Sequence, residues 1–154
     1  MTGIVLRYGH FYGPGTAYAR DGSVAENVRQ RKLPILGGGN AVFSFVHVDD
    51  AAQATVRAMN HGEPGIYNIV DDEPAPLHEW LPVYADLLDA PQPMRLPKLV
   101  GRVVGGRFAV FFLNEQRGVS NRKAKQELGW QPRYASWRDG FRAELAQTPE
   151  PSPA

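Results

Sequence analysis

An α/β fold in one compact unit is the class that the sequence predicts, and three observations carry it. The chain opens on a continuous apolar run, Ile4-Val5-Leu6, of the kind found in a strand buried on both faces. Residues 42 to 48, rich in Val and Phe and free of Gly and Pro, run into a small-residue helical pattern that begins at two aspartates. Amphipathic stripes then alternate with short apolar runs. With 154 residues, 43% of them hydrophobic, the chain can bury one real core and is too short for two domains. The expected unit covers residues 1–147, and the proline-rich close, 148–154, reads as a disordered tail.

Each element has its own signal. After Ile4–Leu6 the segment Y-G-H-F-Y-G-P-G breaks the strand into a loop at Gly13, Pro14 and Gly15. Val24 and Val28, four apart, predict a helix capped by Ser23. Residues 34–36, then Gly37-Gly38-Gly39-Asn40, then 42–48 read as a hairpin with a glycine-rich turn. A phosphate loop is disfavoured there, because a strand and not a helix follows the glycines. The helix expected to begin at Asp49 is capped by its two aspartates, Asp49 and Asp50, whose carboxylates suit the free amides and positive dipole of a first turn. Gly65–Val70 is the next strand, and Asp71, Asp72 and Glu73 form a solvent-facing acidic turn.

Pro76 opens a helix to Leu88 whose stripe includes Leu77, Trp80, Leu81 and Tyr84, with Pro82 either in its first turn or kinking it. Residues 96–113 predict one or two amphipathic helices interrupted by glycines. A short helix from Asn121 to Leu128 closes at Gly129, and a last one runs from Ser136 to about Ala146. Trp80, Trp130 and Trp137 are expected in the core.

Composition excludes several functions. Seventeen basic and sixteen acidic residues give a net charge of +1, without the basic stripe of a nucleic-acid or membrane-surface binder. The absence of cysteine removes disulfides, thiolate nucleophiles and cysteine-ligated metals. No run is long enough to span a membrane and no signal peptide is legible, so the expected location is cytoplasmic. His47 with Asp49 and Asp50 has the residue types of a metal or acid-base site, but capping explains the aspartates better and no metal is assigned.

Four blocks in order, L-R-Y-G-H-F-Y-G-P-G (6–15), F-S-F-V-H-V-D-D-A-A (43–52), G-I-Y-N-I (65–69) and S-N-R-K-A-K-Q-E-L-G-W-Q-P (120–132), resemble the later half of the extended short-chain dehydrogenases/reductases, the NAD(P)-dependent epimerase/dehydratase family. The resemblance implies the C-terminal part of a Rossmann-type sheet, with two parallel strands at 3–8 and Gly65–Val70, plus a small mixed α/β substrate-binding domain with one hairpin. It implies NAD or NADP as cofactor and a small-molecule substrate. It places Tyr8 and His10 beside the nicotinamide, and His10, Phe11, Phe43 and Arg117 toward the substrate. Tyr8, Phe11 and Tyr12 read equally well as core aromatics and His10 as a loop histidine, whereas Arg117 reads first as a solvated surface arginine.

Absences weigh as much as matches. That family moves a proton through a Tyr-x-x-x-Lys pair, and no tyrosine of this chain has a lysine four residues on. The dinucleotide-binding glycine fingerprint is missing too. No catalytic residue is therefore assigned, and the chain is expected to be a substrate-binding half that is inactive alone. Its partner would be the missing N-terminal half, or a second copy meeting it at the Ile4–Leu6 strand edge. The other class of function is a non-catalytic binding or assembly module on the same fold. His10 and Phe11 replace the asparagines common before Tyr-Gly-Pro in sugar-nucleotide enzymes, and Phe43 replaces a diphosphate-binding arginine. A smaller or more apolar carbonyl or hydroxyl substrate is expected instead.

Overall fold

The computed structural model describes residues 3–104 and 106–146; the expected tail lies outside them. In chain order the elements are β1 (Ile4–Tyr8), β2 (His10–Tyr12), α1 (Ser23–Arg29), β3 (Ile35–Leu36), β4 (Val42–Phe43), β5 (Phe45–His47), α2 (Val48–His61) and β6 (Gly65–Ile69). They continue with β7 (Ala75–Pro76), α3 (Leu77–Leu87), β8 (Arg95–Leu96), α4 (Lys98–Val104), α5 (Gly106–Asn114), α6 (Arg122–Leu128) and α7 (Trp137–Leu145).

The sheet is built on a change of partner at Gly9. β1 pairs in parallel with β6 along its whole length, Ile4 opposite Gly65 and Tyr8 opposite Ile69, so the two expected parallel strands are present. One residue later the chain leaves β6 and pairs in parallel with β5, His10 opposite Phe45. The Gly9 amide still bonds Ile69 O at 3.1 Å, whereas the His10 amide bonds Ser44 O at 2.8 Å. On its other side β5 takes the Asp71 amide on Phe45 O at 2.7 Å. β1 and β6 thus part at Gly9, and β5 fills the fork. A side chain cannot stand at the crossing, because a Cβ on Gly9 would lie 2.4 Å from Ser44 O and 2.8 Å from Val70 Cγ1.

β5 also divides the core, since successive residues of a strand face opposite ways. Phe45 enters a cluster with Tyr12, Phe43, Trp80, Tyr84, Trp137 and Phe141. Val46 enters a second cluster with Ala51, Ala54 and Ala58 of α2, Tyr67 and Ile69 of β6, and Trp130. The alanines let α2 lie close against the sheet. All three tryptophans are buried, as expected. β1 differs from expectation. Ile4 and Leu6 pack on the second cluster, but Val5 and its neighbour Ile66 are 50% and 47% exposed, so this parallel pair is covered on one face.

The expected hairpin does not form. The β3 amides and carbonyls are taken by a strand sixty residues on, with Ile35 opposite Arg95 in parallel, while β4 pairs antiparallel with β7. Gly37 and Gly39 turn the chain at positive φ, but the turn delivers each arm to a different partner. The helices follow the sequence more closely. Residues 96–113 give two helices, α6 ends at a left-handed Gly129, and the Ser136 hydroxyl caps α7 by accepting from the Arg138 amide. Pro82 sits at the sixth position of α3, which runs on through it. Ser23 begins α1 but does not cap it; Gly22 takes the cap position.

The cap of α2 is the larger correction. His47, not an aspartate, caps the helix, its Nδ1 accepting from the Asp49 amide at 3.2 Å. Asp50 is instead fully buried, its two carboxylate oxygens accepting the amides of Arg133 (2.7 Å) and Tyr134 (3.2 Å), while the Trp130 indole N–H donates to its carbonyl at 3.0 Å. One residue therefore fixes the connection between α6 and α7. Replacing Asp50 by alanine removes the acceptor of two backbone amides together with a buried carboxylate, and the expected loss is about 2–4 kcal/mol of unfolding free energy in urea titrations.

Candidate functional site

In open α/β sheets ligands bind beyond the carboxyl ends of strands where neighbouring strands part. That point here is Gly9 and His10. A groove of about 520 Å³ lies over it, lined by Gly9, His10, Phe11, the loop Gly15–Tyr18 and Val48. On the other side of His10 and Tyr18 is a more enclosed chamber of about 230 Å³, with Phe43, Leu77, Trp80 and Leu113 among its walls. His10 and Tyr18 line both spaces.

The His10 ring lies 4.8 Å from that of Phe43, 5.9 Å from Phe45 and 6.0 Å from Tyr18. Burial among these rings lowers its pKa, and a hydrogen bond with the Gln116 side chain offsets part of that. The imidazole is therefore neutral at pH 7, with one nitrogen able to donate and the other to accept. Gln116 is held in place by its own carbonyl, which accepts the Val42 amide at 2.9 Å beside Phe43.

The residues expected from the sequence separate into groups. His10 and Phe43 meet in the chamber, and His10 and Phe11 meet in the groove. Tyr8 touches Phe11 at 5.4 Å and shares a 2.6 Å hydrogen bond with the Thr55 hydroxyl of α2. Arg117 is exposed and lines neither space; its neighbour Gln116 is the residue that reaches His10. Phe43 is a core residue as well as a wall. Tyr18, Trp80, Phe112, Leu113 and Gln116 were not anticipated at the site. The apolar stripe of α3 and the apolar run 96–113 signalled only helix packing for Trp80, Phe112 and Leu113, and Tyr18 and Gln116 lie outside both segments.

A polar cluster supports the groove from below. His47 Nδ1 is an acceptor, so Nε2 carries the hydrogen and donates to Glu144 Oε1 of α7 at 3.0 Å. This clamps α2 and β5 to α7. The Tyr12 ring packs edge-on to His47 at 5.2 Å, and its hydroxyl approaches α7 so closely that a Cβ on Gly140 would lie 1.9 Å away. The acidic turn faces solvent only in part: Asp72 is exposed and Glu73 half-buried, but Asp71 points inward. Asp71 is 2% exposed, Asp72 is held by Lys125 at 2.8 Å and Asn121 at 2.7 Å, and Glu73 bonds Ser136 and Arg138. Among the described residues no group of three or more His, Asp or Glu is arranged to hold a metal, and no helix is long and apolar enough to cross a membrane.

A strand fork roofed by a groove, with helices packed on a parallel pair, defines a portion of a Rossmann-type α/β fold. The chain belongs to the NAD dependent epimerase/dehydratase family, whose family model matches residues 1–70. It is 48% identical over 144 residues to a 3-diazoavenalumate denitrifying reductase from a Streptomyces species, a match covering 94% of this chain and 47% of that protein. It resembles the human epimerase family protein SDR39U1 solved with NADPH, with a TM-score of 0.73 and 23% identity over 93% of this chain and 48% of that one. A structure from Silicibacter pomeroyi, described as a functionally unknown conserved protein, gives a TM-score of 0.70 and 28% identity over 93% and 47%. The chain spans about half the length of these proteins, consistent with the C-terminal half of an extended short-chain dehydrogenase/reductase.

The described residues fit only part of a dinucleotide. The groove beside His10 can take a ring, but among the described residues no glycine-rich turn opens a helix that would receive a pyrophosphate, since Gly37–Gly39 lead into β4.

Asp71 yields a pH prediction. Burial raises its pKa from 3.8 to about 8, against the amides of Glu73 and Trp137 that favour the charged form and with the charges of Glu73 and Asp72. The folded chain keeps a proton that the unfolded chain has lost between these values, so this group's contribution to stability falls as pH rises from about 4 to 8. Asp71→Asn preserves an accepting oxygen and removes the titration. Urea midpoints at pH 4, 6 and 8 are expected to show the variant gaining on the parent as pH rises.

Proposed function

We propose that this chain is the substrate-binding half of an NAD(P)-dependent reductase or epimerase-like enzyme, and that it does not transfer hydride by itself. The observation that carries this reading is the bare side of β1. Parallel strands are stable when paired on both edges and covered on both faces, yet among the described residues β1 has β6 as its one neighbour and Val5 and Ile66 face outward. Family membership, the missing Tyr-x-x-x-Lys pair and the half-length match to the relatives support it. The partner is then the complementary half of the sheet, added at β1, and the location is cytoplasmic.

In the complete enzyme NAD or NADP supplies the hydride. This chain's part is to present Tyr8 and His10 along the nicotinamide side and His10, Phe11 and Phe43 along the substrate side, with Arg117 left at the surface. A substrate smaller or more apolar than a sugar nucleotide fits the rings that stand where diphosphate-binding donors would be needed. The likeness to a denitrifying reductase favours reduction over epimerisation. The alternative is a non-catalytic module whose own association covers the β1 edge.

Calorimetric titration of the 154-residue chain with NADH and NADPH, with its solution mass measured on the same sample, tests this. The expected result is no measurable binding and no turnover of either cofactor with carbonyl substrates. Tight binding by a defined dimer would overturn it, since association would then have completed a cofactor site. A stable dimer that binds neither favours the module.

A further inference from the structure

The chamber behind His10 has a composition that selects among substrates. Its walls include the rings of Tyr18, Phe43 and Trp80, and no Asp, Glu, Lys or Arg is among the described residues that line it. The rings brace one another, Phe43 against Trp80 at 5.1 Å and Tyr18 against Trp80 at 5.8 Å, so the cavity does not depend on a ligand to shape it. A phosphate or diphosphate entering it would lose its water without gaining a cation.

We propose that this chamber binds the ring of a planar aromatic substrate that carries a hydrogen-bond acceptor, and that it excludes nucleoside diphosphates. This deepens the reading above, on which it rests for the chamber being part of a substrate site. Size supports a single ring: about 230 Å³ is below the range of roughly 300–1,000 Å³ that holds drug-sized ligands. Chemistry supports the acceptor. The Trp80 indole N–H is buried and has no partner in the folded chain. Trp80 is a wall of the chamber, and we assign a ligand oxygen there as the partner that its N–H lacks. Burial keeps His10 neutral, which suits a ring neighbour better than an imidazolium would. Because His10 and Tyr18 line both spaces, a ring in the chamber places the rest of the molecule toward the groove at Gly9 and Phe11, where the chemistry of a complete enzyme would occur.

The probe is 4-hydroxycinnamate, titrated into the ¹⁵N-labelled 154-residue chain and followed by the three indole N–H resonances in NMR spectra, with UDP-glucose titrated in parallel. The expected result is a saturable shift of the Trp80 signal. The Trp130 signal, whose N–H already bonds Asp50 O, stays in place, and UDP-glucose gives no shift. Trp80→Phe keeps a ring and removes the donor, and calorimetry should show binding weakened by about 2- to 10-fold, the worth of one neutral hydrogen bond. Val24→Phe, at a half-buried α1 position on the chamber wall, fills the space and should abolish binding with the spectrum otherwise intact.

The proposal is overturned if UDP-glucose moves the Trp80 resonance, if 4-hydroxycinnamate moves no indole resonance, or if Val24→Phe binds as well as the parent. No dinucleotide enters this experiment. Its failure therefore leaves the half-enzyme reading intact, whereas NADH binding by the chain alone would remove that reading and not this one.

Discussion

The fold hangs on the absence of a side chain at position 9. Two strands can run in parallel register and then part only if the backbone of a third can come up between them, and here it does so within van der Waals distance of Gly9. Every ligand-facing feature follows from that approach. It turns Ser44 O toward β2 and Phe45 O toward the segment after β6. It puts His10 at the end of a strand and not in its middle, and opens the space that the loop Gly15–Tyr18 covers. The site is a consequence of how three strands share hydrogen bonds, before any chemistry is asked of its side chains.

Around this fork the polar groups serve geometry. The His47 imidazole uses one nitrogen as a helix cap and the other as a tie to Glu144, so both ring nitrogens are engaged within the fold. Asp50 spends its charge on two backbone amides of the segment that leads into α7. Asp72 and Glu73, each paired with a basic side chain, fasten the chain after β6 to α6 and α7. Among the described residues that line the chamber there is no Asp, Glu, Lys or Arg, so its rings meet the cavity without an ionic group between them.

Helices were legible because their ends are written locally: Gly129 after α6 and Ser136 before α7 are single-residue signals with single meanings. Strand partners were not, apart from the parallel β1 and β6 that the resemblance implied. β3, β4 and β5 are two or three residues long, too short for any periodicity to show, and a glycine-rich turn between two apolar runs looks the same whether its arms pair with each other or with residues far along the chain. The H-V-D-D segment was ambiguous in chemistry, since imidazole and carboxylate are both acceptors and only the packed structure decides which one caps. Burial of Asp71 was beyond reach for the same reason. At the site, His10, Phe11 and Phe43 could be named from the resemblance, whereas Trp80 and Phe112 reach it through α3 and α5, whose placement no local pattern reveals.

β5 holds three residues, yet both hydrophobic clusters depend on it, Phe45 in one and Val46 in the other. Separate clusters in a small protein often open independently, each with its own local free energy. A shared strand this short leaves no hinge between them, because losing its pairing with β2 withdraws a side chain from each at once. The two clusters are then coupled through β5, and amides on either side are expected to exchange together and not cluster by cluster.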